Sequence, residues 1–433
     1  MTCLTGKYFF PISSSLISSR AVSGAAVSAN TQAVMSREEK WGGHNYAPLP
    51  VVLSRGEGTF LWDVDGKRYF DFLAAHSTVN QGHCHPKILA AMVDQASKLT
   101  LTSRAFYNDV LGEYEEYMTK LFGFDKLLPM NTGVEAGETA IKLARKWAYN
   151  VKRIPDNEAK VVFANDNFWG RTLSACSSSS DPSCYEGFGP YVPGFLMIPY
   201  NDLAALEEEL KDPNVCAFFV EPIQGEAGAV VPEEGYLRGV RALCTKYNVL
   251  WIDDEVQSGL GRAGKRLAVD WDDLKPDIIT LGKSLSGGYF PASAVLCNDD
   301  VMLQIKPGQH GSTYGGNPLA CKIAMASMDV LETEGMYDNA VGQGELWRSE
   351  MSKLPKDMIK LVRGKGLFNA MVVREEGDFT AYNVCIALRD AGVLGKQGRD
   401  GTIRFTPPLC ITRSQMTEAC EIIVDTLIGL HKQ

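Results

Sequence analysis

The chain has 433 residues, which at about 100–200 residues per domain means two or three domains. Hydrophobic residues make up 45% and charged residues 22%, a composition that excludes a disordered, collagen-like or coiled-coil protein. The net charge of −9 excludes a basic nucleic-acid binder, and no apolar run reaches the roughly 18 residues of a membrane span, so small molecules or proteins are the expected partners.

Residues 1–35 contain no Asp or Glu, seven serines and two basic residues, Lys7 and Arg20. Such an acid-poor, Ser-rich start has the composition of a transit peptide, which makes the mitochondrial matrix the expected location. A plain tail on a cytoplasmic protein is the alternative. An N-terminal segment is expected over 36–95, a large domain over 96–335 and a small C-terminal domain over 336–433.

Within residues 59–72 two strand-like runs flank Asp65-Gly66, a hairpin signal. Short apolar runs follow at 127–130, 160–164, 217–220, 249–252, 278–281 and 292–296, and helical stretches such as 137–151 and 236–247 separate several of them. This alternation predicts an α/β domain with a mostly parallel sheet, whose ligands bind at the carboxyl ends of the strands. Beyond about residue 335, helices are expected at 345–354 and 414–430 and strand segments at 361–373 and 402–408, which make a smaller α+β domain.

Eleven cysteines are scattered with no C-x-x-C, and Cys216, Cys297 and Cys385 sit in apolar stretches. They read as buried free thiols in a reducing compartment. His83-Cys84-His85 has no second cluster to complete a tetrahedron, so it reads as a turn before a helix and no metal is expected.

Three strand ends carry chemistry. Lys283 follows the apolar run 278–281, where a desolvated amine could form a Schiff base. Asp253, Asp254 and Glu255 end the run before it; one acid there could hold a cationic heterocycle. Asn131-Thr132-Gly133-Val134 opens a helix after residues 127–130, and free amides at a helix start suit a phosphate. Gly259-Leu260-Gly261-Arg262-Ala263-Gly264 matches a dinucleotide pattern, but five residues separate it from its strand and no adequate helix follows. An amine, a carboxylate and phosphate-binding amides on one sheet are what pyridoxal phosphate requires.

At these residues the chain resembles the fold-type-I, class-III aminotransferases, over roughly residues 41–430. The resemblance rests on Gly43-His44-Asn45-Tyr46, Asn80-Gln81-Gly82-His83-Cys84-His85-Pro86, residues 99–107, residues 129–138, Asn167-Phe168-Trp169-Gly170-Arg171, Glu221-Pro222-Ile223-Gln224-Gly225-Glu226 and residues 310–318. It implies a large domain with a mostly parallel seven-stranded sheet flanked by helices, plus a small α+β domain. It also implies pyridoxal phosphate as cofactor: Lys283 as the Schiff-base amine and proton shuttle, Asp254 on the ring nitrogen, and Phe168 and Val256 on the two ring faces. Gln257 would bond the phenolic oxygen. Gly133 and Val134 would bind the phosphate with Ser312 and Thr313 of a partner subunit, so a homodimer with shared sites, or a higher oligomer, is implied.

Among the family, the motifs are most similar to those of members that act on the δ-amino group of L-ornithine, with 2-oxoglutarate as acceptor. Tyr46 and Arg171 resemble the groups that hold ornithine's α-carboxylate, and Arg404 the group that receives 2-oxoglutarate. Glu226 would mask Arg404 in one half of a ping-pong cycle and release it in the other. N-acetylornithine and 4-aminobutyrate are the alternative amine donors. One departure is His76, where ornithine-acting members carry tyrosine; a shorter side chain there implies a roomier pocket beside the amino-acid end of the substrate. A second feature is the pair Cys176 and Cys184, eight residues apart after Arg171, which could form a redox-sensitive pair.

Overall fold

The computed structural model describes residues 27–432. Most of the stretch read as a transit peptide therefore lies outside the described residues. What is described of it joins a helix, Ala29–Trp41, which runs across the boundary drawn at residue 35. Ser28 caps that helix, and Asp65 in the hairpin turn accepts from Asn30 and Thr31, at 3.0 and 3.3 Å.

The hairpin expected around Asp65-Gly66 is the inner pair of a small sheet: β1 (Leu53–Glu57), β2 (Phe60–Asp63) and β3 (Arg68–Asp71). The large domain then supplies β4 (Lys126–Met130), β5 (Lys160–Ala164), β6 (Phe195–Ile198), β7 (Val215–Val220), β8 (Leu250–Asp254), β9 (Ile278–Leu281) and β10 (Ser293–Cys297). These form one seven-stranded sheet in the order β4-β10-β9-β8-β7-β5-β6. All neighbours are parallel except β10, which runs antiparallel to β4 and β9.

Successive residues of these strands enter opposite cores. Val162, Ala164, Phe218 and Val220 join one apolar cluster; Val161, Phe163, Ala217 and Phe219 join the other. Burial on both faces is why the strands read as unbroken apolar runs. The helix Gly133–Trp147 covers one face, its apolar stripe built from Ala140, Ile141, Ala144 and Trp147.

The chain after Gly335 builds β11 (Ile359–Lys365), β12 (Phe368–Val373), β13 (Val393–Leu394), β14 (Lys396–Gln397) and β15 (Thr402–Phe405). A sheet in the order β11-β12-β15-β14 packs against the helices Met336–Met351 and Ala381–Ala391, and the helix Arg413–His431 packs on those two helices and on β13. The first of these starts nine residues before the expected 345–354, because Gly342 and Gly344 look like breakers in sequence. Gly344 instead lets the helix pack on the Gly366 carbonyl, 1.7 Å from where a Cβ would stand. β13 pairs in parallel with β3, so the C-terminal part lends a strand to the N-terminal sheet.

The Gly259–Gly264 pattern closes on itself through turns, with Leu260 N–H on the Arg266 carbonyl and Gly261 N–H on the Lys265 carbonyl. Its Arg262 is fully buried and donates to the Leu367 and Pro407 carbonyls and to Asn80 Oδ1. It ties three parts of the chain together. Among the described residues no helix is long and apolar enough to cross a membrane.

Candidate active site

The carboxyl ends of β7, β8 and β9 lie side by side, that of β4 lies on the same edge of the sheet beyond β10, and each delivers one functional element. β8 runs two residues past its expected end, to Asp254, which is 4% exposed. Asp254 Oδ1 accepts from the Val256 N–H at 3.1 Å and from Thr280 Oγ1 at 3.0 Å. Burial raises its pKa; the Val256 amide, Lys283 and Thr280 oppose the rise. β9 leads through Gly282 into Lys283, whose φ of 42° is left-handed, a strained setting typical of functional positions. Burial pushes the Lys283 amine below the ordinary lysine value, against the pull of Glu226, Asp254 and Glu221. An amine so shifted is a better nucleophile.

At the end of β4, Thr132 caps the helix Gly133–Trp147 in a reciprocal box with Glu135. The box uses the amides of Thr132 and Glu135, and a first helical turn offers no internal partner to those of Gly133 and Val134. A Cβ on Gly133 would lie 2.8 Å from Val256 Cγ1, and one on Gly282 3.3 Å from the same atom. The two glycines thus let the helix start close against the ends of β8 and β9. Thr132, Gly133 and Lys283 line one cavity of about 260 Å³. Val134 packs on Gly170, where a Cβ would approach within 2.2 Å. Within the chain, Ser312 Oγ accepts from Asn131 Nδ2 at 2.8 Å, while Thr313 is exposed. His310 anchors this segment on the same helix, with Nε2 2.8 Å from Thr139 Oγ1 and Nδ1 2.8 Å from Lys142 Nζ.

A second cavity, of about 240 Å³, brings together Tyr46, His76, Phe168, Arg171, Glu226 and Arg404. Arg404 is 5% exposed on β15 and pairs through Nη1 with Glu226 Oε1. Burial would raise the Glu226 pKa, but the Arg404 charge and hydrogen bond outweigh it and hold it at about 2. Gln257 Nε2 also donates to Glu226 Oε1, at 3.3 Å. The Arg171 guanidinium lies 5.5 Å from the Phe168 ring centre. His76, expected beside the amino-acid end of the substrate, has its Nδ1 3.0 Å from Arg404 Nη2.

Sequence reasoning missed several residues here. Glu221, just past β7, accepts the Phe168 N–H on one oxygen and the Gly225 N–H on the other, both at 3.0 Å, and so sets two loops of the site. An acid directly after a buried strand was the available signal. Asp181, Lys396 and Arg399 line the second cavity as well, beside Cys184 of the expected thiol pair. They come from distant segments and share no spacing.

The residues fit pyridoxal phosphate. The buried Asp254 carboxylate lies near the half-buried Lys283 amine, two glycines clear the helix start, and Gln257 Oε1 is buried in the site without a partner.

Comparison with known proteins points the same way. The family model described as aminotransferase class-III matches residues 41–427. A Drosophila melanogaster protein named "Ornithine aminotransferase, mitochondrial" is 64% identical over 406 residues, 94% of each chain. The crystal structure of the ornithine aminotransferase from Toxoplasma gondii ME49 superposes with a TM-score of 0.90 at 49% identity, covering 93% of this chain and 96% of that one. The structure of an acetylornithine aminotransferase from Elizabethkingia anophelis gives a TM-score of 0.85 at 53% identity, covering 92% and 99%. By sequence, fold and site, the chain belongs to the class-III aminotransferases.

Proposed function

We propose that this enzyme transfers the δ-amino group of L-ornithine to 2-oxoglutarate. The products are L-glutamate and L-glutamate 5-semialdehyde, which cyclises to pyrroline-5-carboxylate. The observation that carries this reading is the Arg404–Glu226 pair in the cavity that also holds Tyr46 and Arg171. A lone arginine would serve one kind of dicarboxylate; an arginine masked by a movable acid can serve two unlike substrates in turn.

Class-III aminotransferases use pyridoxal phosphate, which when bound supplies an aldehyde to take up the amino group and a ring to delocalise the electron pair left on carbon. Lys283 offers the amine that anchors the cofactor and then carries the proton to and from the reacting carbon. Asp254 would hold a proton on the ring nitrogen. Phe168 and Val256 would hold the two ring faces, Gln257 would bond the phenolic oxygen, and the Gly133 and Val134 amides would bind the phosphate. Tyr46 and Arg171 take ornithine's α-carboxylate, which leaves the δ-amine to react. Glu226 covers Arg404 in that half-reaction and uncovers it for 2-oxoglutarate in the next.

Ser312 and Thr313 of one copy complete the phosphate site of the other in a homodimer. Exposed Phe106, Tyr107 and Tyr314 support such a contact, since each is more than half exposed in the single chain. The mitochondrial matrix is the proposed location, as several relatives carry that word in their names. The proposed division is an N-terminal segment to residue 95, a large domain to 335 and a small domain beyond.

The test is a half-reaction screen followed at the cofactor's absorbance, with ornithine, N-acetylornithine, 4-aminobutyrate and lysine as donors. Ornithine should bleach the cofactor band fastest. A faster response to N-acetylornithine would overturn the substrate assignment.

A further inference from the structure

The segment Ala74, Ala75, His76 and Ser77 has φ values of 46°, 48°, 57° and 66°. Four successive non-glycine residues are thus left-handed, a conformation in which each Cβ crowds the following carbonyl. Such a turn persists only where its surroundings impose it. Here Asp71 Oδ1 accepts from the N–H groups of Leu73 and Ala74, at 2.9 and 2.8 Å. Thr406, two residues past Arg404, donates its N–H to the Phe72 carbonyl at 2.7 Å and its Oγ1 to the Leu73 carbonyl at 2.9 Å. The strained turn and Arg404 are therefore fixed to the same strand end.

What the turn achieves is the position of one atom. His76 Nδ1 stands 3.0 Å from Arg404 Nη2. A guanidinium only donates, so Nδ1 presents its lone pair, the ring is neutral and its proton is on Nε2. The other guanidinium branch, Nη1, meets Glu226. Arg404 Nε is buried without a partner. When Glu226 withdraws, His76 is the side chain left holding the guanidinium.

We propose that His76 is the fixed arm of Arg404, a positioning residue that keeps Nη2 in place through both half-reactions while Glu226 frees Nη1 for the carboxylate of 2-oxoglutarate. The role deepens the functional reading above and rests on it. It differs from that of a pocket-filling side chain at the ornithine end, because it acts on the acceptor and requires a lone pair.

The lone pair also makes the arm sensitive to acid. The groups that face His76 are Arg404 and Lys396 from the small domain, Lys283 after β9 and Glu226 after β7. Burial, Arg404, Lys283 and Lys396 favour the neutral ring, and Glu226 opposes them. The ring thus stays neutral at neutral pH. Once it is protonated in acid, Nδ1 can no longer accept, and a second cation faces Arg404.

Two substitutions separate this role from packing. His76→Phe keeps a ring but removes the acceptor. His76→Asn puts Oδ1 near the place of Nδ1 and does not titrate. On the cofactor-loaded enzyme, each half-reaction is saturated separately, and glutarate, a dicarboxylate that cannot react, is titrated by calorimetry. The Phe variant should weaken 2-oxoglutarate and glutarate by about tenfold, the size of one lost charge-assisted hydrogen bond. Its ornithine saturation should move by less than about threefold, and Asn should recover most of the loss. The wild type should lose glutarate affinity as the pH falls below 6.5, the ordinary histidine value, and the Asn variant should not. Equal losses for both substrates, no rescue by Asn, or an unchanged glutarate affinity in the Phe variant would each overturn the proposal. Glutarate binding needs no turnover, so a wild type that ignores ornithine would refute the substrate assignment and still leave His76 tested.

Discussion

Arg363 and Arg404 stand in one row across the small-domain sheet, since β12 sets Ala370 opposite Arg363 on one side and opposite Arg404 on the other. Residues in register across neighbouring strands project to one face. Both side chains reach the same loop. Arg404 holds the Glu226 carboxylate, and Arg363 donates to the next two carbonyls, Nη2 to Ala227 at 3.0 Å and Nε to Gly228 at 2.7 Å. The small domain thus grips both the side chain of Glu226 and the backbone that carries it.

Replacing Arg363 by Met keeps the aliphatic bulk and deletes both hydrogen bonds. Stability should fall by about 1–3 kcal/mol in urea unfolding. Glu226 should then mask Arg404 less well, so the ornithine half-reaction should slow more than that with 2-oxoglutarate. Unchanged stability would remove Arg363 from the support of the loop.

Lys283→Ala should lower turnover by more than about 10³-fold while the fold survives, because nucleophile and proton carrier vanish together. Circular dichroism should be unchanged. Turnover of ornithine near the wild-type rate would show that another group does the work.

These two residues differ in how well the sequence announces them. Asp254 ends a strand buried on both faces, and Lys283 and Gly133 follow largely buried strands, so an apolar run points straight to each of them. Arg363 sits inside a strand whose pattern is half exposed, and nothing in its neighbourhood links it to residue 227. The edge strand β6 was missed although its four apolar residues match β9 in length, and β13 was missed because two residues carry no periodicity. His76 was singled out by resemblance alone. Its grip on Arg404 depends on a left-handed turn of residues that give no sign of one.

Glu221 should make stability depend on pH. Burial and the neighbouring Asp254 raise its pKa from 4.5 to about 8, against the Gly225 and Phe168 amides. The native state therefore holds a proton that the unfolded chain releases. This contribution is complete below pH 4.5 and declines as the pH rises through about 8. In Glu221→Gln the slope should lessen by up to one proton, about 1.4 kcal/mol per pH unit across that window. Glu255, also raised to about 8 by burial, remains in both proteins and cancels in the difference. Urea unfolding at pH 5.5, 7 and 8.5 reads it; parallel curves for the two proteins would mean that Glu221 is ionised throughout.

Cys176 and Cys184 should form a disulfide, slowly, under mild oxidation. They occupy two short neighbouring helices, Leu173–Ser177 and Pro182–Tyr185, and are 7% and 6% exposed. Burial, and then the nearness of Cys184, raise the Cys176 thiol above its ordinary value. Few thiolates exist at neutral pH, so the reaction with oxidised glutathione should accelerate as the pH rises. One thiolate attacks the glutathione disulfide, the second displaces glutathione from the mixed disulfide, and two reduced glutathiones leave. The bond would bring the Cα atoms to about 4.4–6.8 Å. Cys184 lines the cavity with Tyr46 and Arg171, and its Sγ lies 3.6 Å from Asp181 Oδ2, which in turn meets Arg399 at 3.6 Å. Turning Cys184 toward Cys176 breaks the first contact and disturbs the wall beside Arg171. The oxidised enzyme should therefore lose affinity for ornithine more than for 2-oxoglutarate, dithiothreitol should restore it, and Cys184→Ser should be immune. Peptide mass spectrometry that finds no 176–184 link after prolonged oxidation at pH 8.5, or equal inactivation of the Ser variant, would end this reading of the pair.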